Sequence, residues 1–180
     1  MEKKNTFREI VWPILSLTII CLVVSLALGG VNMLTEKKIQ DNLDAVANAG
    51  RREVLPDAAD FEKIELTPEM EALGVTEVYS AGDAGFVISA SQKGYAGQVP
   101  VMVGIGADGA ITRIKVMDNE ETPGLGKRVE EESFWGKFSG KQGSVADVAT
   151  LAGATFSSTA VRDSVQNALS VYEMVKGGAN

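Results

Sequence analysis

Two short stretches combine residue types and spacings with chemical consequences. The first is AGATFSS, residues 152–158. It sets a threonine hydroxyl behind a glycine and an alanine, just ahead of a periodic pattern that reads as the last helix. A helix N-terminus presents backbone N–H groups without intrahelical partners and a partial positive charge, so it attracts anions. A phosphoryl group joined to Thr155 would meet the N–H groups of residues 156–159 and the hydroxyls of Ser157 and Ser158, while Gly153 and Ala154 offer little bulk to obstruct it. Read alone, the stretch equally suits a plain capped helix after a small-residue turn. The second is ETPGLG, residues 121–126. Pro123 fixes one dihedral, and Gly124 and Gly126 permit positive φ. Such a loop can lay bare backbone against a flat ligand with Leu125 as an apolar lid, although a tight turn between elements explains it as well.

Composition narrows the chemistry that these residues can do. The 180 residues include no histidine, which excludes a His-based triad, a His-ligated metal and imidazole acid–base catalysis. The single cysteine, Cys21, excludes an internal disulfide, a CxxC pair and a protein-ligated iron–sulfur cluster. Redox work would therefore fall to an organic cofactor. A formal net charge of −7 argues against nucleic acid as a partner.

The N-terminal part is of another kind. Residues 10–35 carry no charged side chain, and a membrane span needs about 20 apolar residues. We expect a tail at residues 1–9 on the cytoplasmic side and a transmembrane helix at 10–35, with Trp12 and Pro13 at its entry. A cleaved signal peptide is the alternative, because SLALGG ends in small residues; the apolar run is longer than a usual signal core. Lys3, Lys4 and Arg8 before the span nearly balance Lys37, Lys38, Arg51 and Arg52 after it, so charge does not set the orientation. Long domains translocate regardless of such flanks, and the C-terminal domain is expected on the extracytoplasmic side of the cell membrane.

The elements that must position the two stretches follow from periodicity. Ile39, Leu43, Val46 and Ala47 share one helical face, so residues 36 to about 55 read as a stalk continuing the span, stopped at Pro56. Residues 57–74 read as a connecting segment with one helical turn near 68–73. The period then becomes two. Strands are expected at 75–80, 86–91, 98–105 and 111–117, with turn chemistry at AGDAG and at GADGA, whose Asp-Gly is a hairpin signal. In the last strand Ile111, Arg113, Lys115 and Met117 alternate against Thr112, Ile114 and Val116. A short helix is expected at 130–138, with Glu130, Glu131 and Glu132 as solvated surface. The last helix is expected from near Ser158 to Lys176, capped by Ser157 or Ser158 and buried through Val161, Val165, Ala168, Leu169 and Tyr172. The fold class is α+β: an antiparallel meander sheet with flanking helices, preceded by one N-terminal transmembrane helix, with the ligand-binding domain at 75–180.

Taken together, GYAGQVPVMVGIGADGAITRIKVMDNEETPGLGKR and AGATFSS resemble the FMN-binding domain of the G subunit of the Rnf electron-transport complex, with the C subunit of the Na⁺-translocating quinone reductase as a close relative. The resemblance covers most of residues 75–175. It implies that Thr155 accepts FMN through a phosphoester made by a separate flavin transferase, which would supply the activation that no local histidine provides. It further implies that Glu121, Thr122, Gly124 and Leu125 lie against the isoalloxazine, with Tyr95 on the same wall and Gly153, Ala154, Ser157 and Ser158 around the attachment point. The chain departs from the family pattern at Ala152, where Ser or Thr is usual, and at Asp147, which lies further upstream than the usual Asp. The implied role is a membrane-anchored electron carrier, not catalytic alone, in an ion-translocating ferredoxin:NAD⁺ oxidoreductase with multi-span partner subunits. A free-standing extracytoplasmic flavoprotein and a non-redox ligand-binding domain are the alternatives.

Overall fold

A computed structural model describes residues 12–178, the side chains of residues 33–34 and 36–45 excepted. The expected tail, the first two residues of the expected span and the side chains of Ile39 and Leu43 lie outside the described residues. The chain divides into two compact units, one ending at Val46 and one beginning at Ala47.

The first unit is helical. Helix α1 runs over Trp12–Val54. Within it Trp12–Asn32 is 21 residues long with mean hydropathy 2.6, and none of it is buried against other parts of the chain, so it is long and apolar enough to cross a membrane.

The second unit is built on a five-stranded antiparallel sheet in the order β1-β2-β3-β4-β5: Glu62–Ile64, Val75–Ser80, Gly85–Lys93, Gln98–Gly106 and Ile111–Val116. Every connection joins neighbours, so the sheet is a simple meander, as the alternating residues and turn signals imply. Strand β1 adds a fifth strand at the edge, pairing Glu62 with Ser80 and Ile64 with Val78. Short helix α2 (Pro68–Ala72) follows it, with Thr67 as N-cap and Pro68 in the first turn, where its missing N–H is harmless.

Both faces of the sheet are covered. On one, Val99, Val101, Val103, Ile105, Ile111 and Ile114 meet Val161, Val165, Ala168, Leu169 and Tyr172 of helix α4 (Thr155–Gly178). Tyr172 is held on three counts: it is 1% exposed, its ring packs edge-on to Phe86 at 5.7 Å, and its hydroxyl donates to the Ala107 carbonyl at 3.1 Å. On the other face Val54, Leu55 and Ala58 pack with Val87 and Met102. Arg51, buried at the end of α1, stacks on the Tyr79 ring at 3.6 Å, and Glu53 pairs with Arg113 and Lys115 of β5.

Two local readings need correction. The alternation expected in β5 fails because its register against β4 shifts between Gly104 and Ile105. The shift makes Thr112 the extra residue of a bulge, so Ile111 and Ile114 enter the same core layer although three residues apart. Thr112 turns to the other face, where its hydroxyl donates to the Val54 carbonyl at 2.5 Å. The segment expected as one short helix over 130–138 is instead a 3-10 turn at Gly126–Glu130, helix α3 at Glu132–Trp135 and a second 3-10 turn at Gly136–Phe138. Phe134 and Phe138 anchor it in the core, edge-to-face at 5.5 Å, while Glu130, Glu131 and Glu132 are exposed as expected.

Candidate functional site

Three segments far apart in sequence converge at one end of the sheet. The first is the tip of the β3–β4 hairpin, residues 94–97, closed by the Gly94 N–H donating to the Gly97 carbonyl at 2.8 Å. It carries Tyr95, 72% exposed. The second is the loop at 121–126. Its Thr122 carbonyl accepts from the N–H groups of Leu125 at 3.2 Å and Lys127 at 3.1 Å, closing a turn with Pro123 and Gly124 at its centre. The third is the entry to α4.

Helix α4 begins three residues earlier than its pattern suggests. The Ser158 N–H already donates to the Ala154 carbonyl at 2.9 Å, so Thr155 stands in the first turn. Neither serine is the cap. The Ser158 hydroxyl accepts from the Leu151 N–H at 3.1 Å and donates to the Ala154 carbonyl at 2.7 Å, which ties the approaching chain to the helix. The helix therefore has its unpaired N–H groups at residues 155–157 rather than 156–159. Gly153 makes the turn before it at φ 82°, and a Cβ there would stand 3.1 Å from Leu125 Cδ1. The positive φ favours glycine there, and a side chain would also crowd Leu125 where the two loops approach each other.

Together these segments line a half-open cavity of about 280 Å³, formed by Tyr95, Glu121, Thr122, Leu125, Gly126, Gly153, Ala154, Thr155, Phe156 and Ser157. Eight of the ten residues expected at the site meet there. Gly124, at the outer corner of its turn, and Ser158, buried beneath the helix entry, are not among the lining residues. Phe156 is an addition. Its ring is 70% exposed and lies 6.4 Å from that of Tyr95, so two aromatic faces flank the opening. A helix starting at Thr155 would have marked Phe156 as solvent-facing; a start near Ser158 hid it in a loop.

Glu121 is the one charged group of the lining, and it is 1% exposed. Its Oε2 accepts from the Ser157 hydroxyl at 2.5 Å, and its Oε1 from the N–H groups of Ala96 at 2.9 Å and Gly97 at 3.4 Å. Burial works to raise its pKa, but the hydrogen bonds from Ser157 and the hairpin tip outweigh it and hold the carboxyl below its ordinary value. Glu53 is shifted the same way, first by its hydrogen bond from Lys115. A depressed carboxylate pKa adds stability above the unfolded-state value, and that stability is lost as pH falls through the folded-state value. The unit should thus lose stability below the ordinary glutamate range. Urea melts at a series of pH values should show E121Q losing less on that acid limb than the parent.

Residues 94–170 match the family model of the FMN-binding domain, which therefore spans all three segments of the cavity. The chain is 33% identical over 201 residues to the G subunit of the Na⁺-translocating ferredoxin:NAD⁺ oxidoreductase complex of Acetobacterium woodii, covering 96% of each chain. It is 25% identical over 177 residues to the G subunit of the proton-translocating ferredoxin:NAD⁺ oxidoreductase complex of Clostridium ljungdahlii, covering 91% of each. The crystal structure of NqrC from Shewanella oneidensis aligns with a TM-score of 0.49 at 15% identity, over 71% of this chain and 74% of that one. The chain belongs to the family of G subunits of ion-translocating oxidoreductase complexes.

Proposed function

We propose that this chain is the flavoprotein subunit of an ion-translocating ferredoxin:NAD⁺ oxidoreductase complex, carrying electrons on an FMN joined covalently to Thr155. The observation that carries the reading is the placement of the exposed Thr155 hydroxyl, in the first turn of α4, at the mouth of a cavity walled by Tyr95, Phe156 and Leu125.

The residues fit the group in both its parts. The phosphoryl end would meet the N–H groups of residues 155–157 and the positive end of α4. The ring would lie against the exposed aromatic and leucine side chains. A cavity of about 280 Å³ falls just below the roughly 300–1,000 Å³ typical of pockets that enclose a ligand. It can cover only part of a flavin nucleotide, and modest burial gives modest affinity. A covalent tether removes dissociation while leaving the ring edge open to redox partners. During maturation the Thr155 oxygen would lose its proton to a base of the transferase and form a bond to the flavin phosphorus, as the phosphoanhydride bond of an activated flavin-nucleotide donor held by the transferase breaks and its other phosphate half leaves.

When bound, the flavin supplies the reversible uptake of electrons that no side chain here provides. The chain's own part is to hold the ring, exclude water from one side of it and set the local field. The buried Glu121 carboxylate behind the cavity and the acidic surface both disfavour added negative charge on the ring. The apolar segment 12–32 would anchor the chain in the cell membrane, with the second unit on the extracytoplasmic side. Ion movement would belong to multi-span partners, because that segment holds no ionisable group other than Cys21.

The test is expression of the full chain with and without a flavin transferase, followed by in-gel fluorescence under denaturing conditions. A fluorescent band only with the transferase is expected; its absence in both would contradict the reading. Purification of the fluorescent chain alone, without multi-span subunits, from its native membrane would favour the free-standing carrier. The aromatic walls make a separate prediction. Y95A/F156A should keep its covalent flavin but lower the fluorescence anisotropy of the ring, because stacking worth about 1 kcal/mol per aromatic face is removed.

A further inference from the structure

We propose that Glu121 is a positioning residue that holds the Tyr95 hairpin tip and the first turn of α4 in one register, so that the aromatic wall and the Thr155 hydroxyl face the same cavity. Its value to cofactor binding rests on the flavin reading above; its role in assembling the site does not.

The geometry is specific. One carboxylate bridges two segments 25 and 36 residues away from it in sequence, through Ala96 and Ser157. Both oxygens are engaged, one by each segment. Its own N–H donates to Asn119 Oδ1 at 3.1 Å, and Asn119 Nδ2 in turn donates to the Met117 carbonyl at 2.9 Å and to Glu130 Oε1 at 3.0 Å. The loop that carries Glu121 is thereby fixed to the end of β5. The surrounding chain leaves just enough room for the carboxylate. A Cβ on Gly94 would stand 2.5 Å from Oε1, and one on Gly126 would stand 2.8 Å from Oε2.

Burying a carboxylate is costly unless its oxygens are hydrogen-bonded. Among the described residues Glu121 has no Lys or Arg partner, so amides and one hydroxyl do the balancing. That donor set makes Glu121 an acceptor for backbone rather than one half of an ion pair. Being 1% exposed, it has almost no surface to offer a ligand. A glutamine keeps one acceptor oxygen for the hairpin tip; an alanine keeps none.

The test is hydrogen–deuterium exchange on the full detergent-solubilised chain, expressed without a flavin transferase. Wild type, E121A, E121Q and S157A are compared over residues 94–99 and 153–158, with 101–105 in β4 as the internal reference. E121A is expected to exchange about tenfold faster in both test segments with the reference unchanged, since a hydrogen bond to a charged group is worth that factor or more. E121Q is expected to restore most of the protection at 94–99. Unchanged exchange in either segment of E121A, or E121Q as fast there as E121A, would overturn the proposal. Should E121A lose protection in β4 as well, S157A decides: faster exchange at 153–158 with β4 unchanged supports the bridge, and an unchanged 153–158 segment refutes it. The readout needs no flavin, so a chain that never acquires one would refute the cofactor reading and leave this result intact.

Discussion

Replacing Thr155 with alanine should abolish covalent flavin and leave the fold in place. The two halves of that expectation rest on different observations. Thr155 is exposed, and alanine in a first helical turn is conformationally welcome, so the stability change should stay within about 0.5 kcal/mol. The neighbouring hydroxyls are poor substitutes. Ser157 is 1% exposed and donates to Glu121, and Ser158 is fully buried and committed to the Ala154 carbonyl. Neither can present its oxygen to a second enzyme while α4 is folded. In-gel fluorescence of T155A should therefore fall to background, with a melting curve matching the parent. T155S, which keeps an exposed hydroxyl at the same place, should recover part of the signal.

Replacing Tyr172 with alanine should have the largest effect on stability. The side chain fills the layer between α4 and the sheet, packs on Phe86 and reaches the hairpin carbonyl of Ala107. Removing a buried aromatic of this size costs about 3–5 kcal/mol. Domains of this kind have about 5–15 kcal/mol in total, so a large part of the margin would go. Urea melts of the solubilised chain should show the unfolding free energy falling by that amount. Y172F isolates the hydroxyl and should lose only about 1 kcal/mol. Because α4 carries Thr155 at its other end, Y172A should lower flavin incorporation in proportion to the unfolded fraction, a behaviour T155A would not share.

Strands β2 to β5 can be read from the chain because each runs six to nine residues rich in β-branched and aromatic side chains. The turns between β2 and β3 and between β4 and β5 also use glycine and Asp-Gly chemistry that has few other uses. Strand β1 cannot, since three residues establish no period and its pairing with β2 is a matter of tertiary context. The bulge at Thr112 is likewise invisible to a two-residue repeat. The start of α4 is displaced from its pattern for a chemical reason. Serine is a better N-cap by type than alanine, but here Ser158 reaches backward to Leu151 and Ala154 takes the cap position. That displacement conceals Phe156.

Thr155 and the 121–126 loop stand out as a pair of unusual local stretches, and the fold brings them to one cavity. How they are joined has no local signature. The bond from Ser157 to Glu121 spans 36 residues, and nothing in the pattern around either residue announces it. Such long-range polar pairs belong to the packed chain and are legible only there.

The chemical state of the Thr155 side chain decides between a flavoprotein and a bare fold, and peptide mass spectrometry reads it. Tryptic cleavage after Lys141 and Arg162 releases residues 142–162, which contain Thr150, Thr155 and Thr159 as well as Ser144, Ser157 and Ser158. From full-length chain matured with a flavin transferase, this peptide should carry the mass of one FMN, and its fragment ions should place the addition on Thr155. An unmodified peptide, or an addition placed on any other hydroxyl, would contradict the assignment.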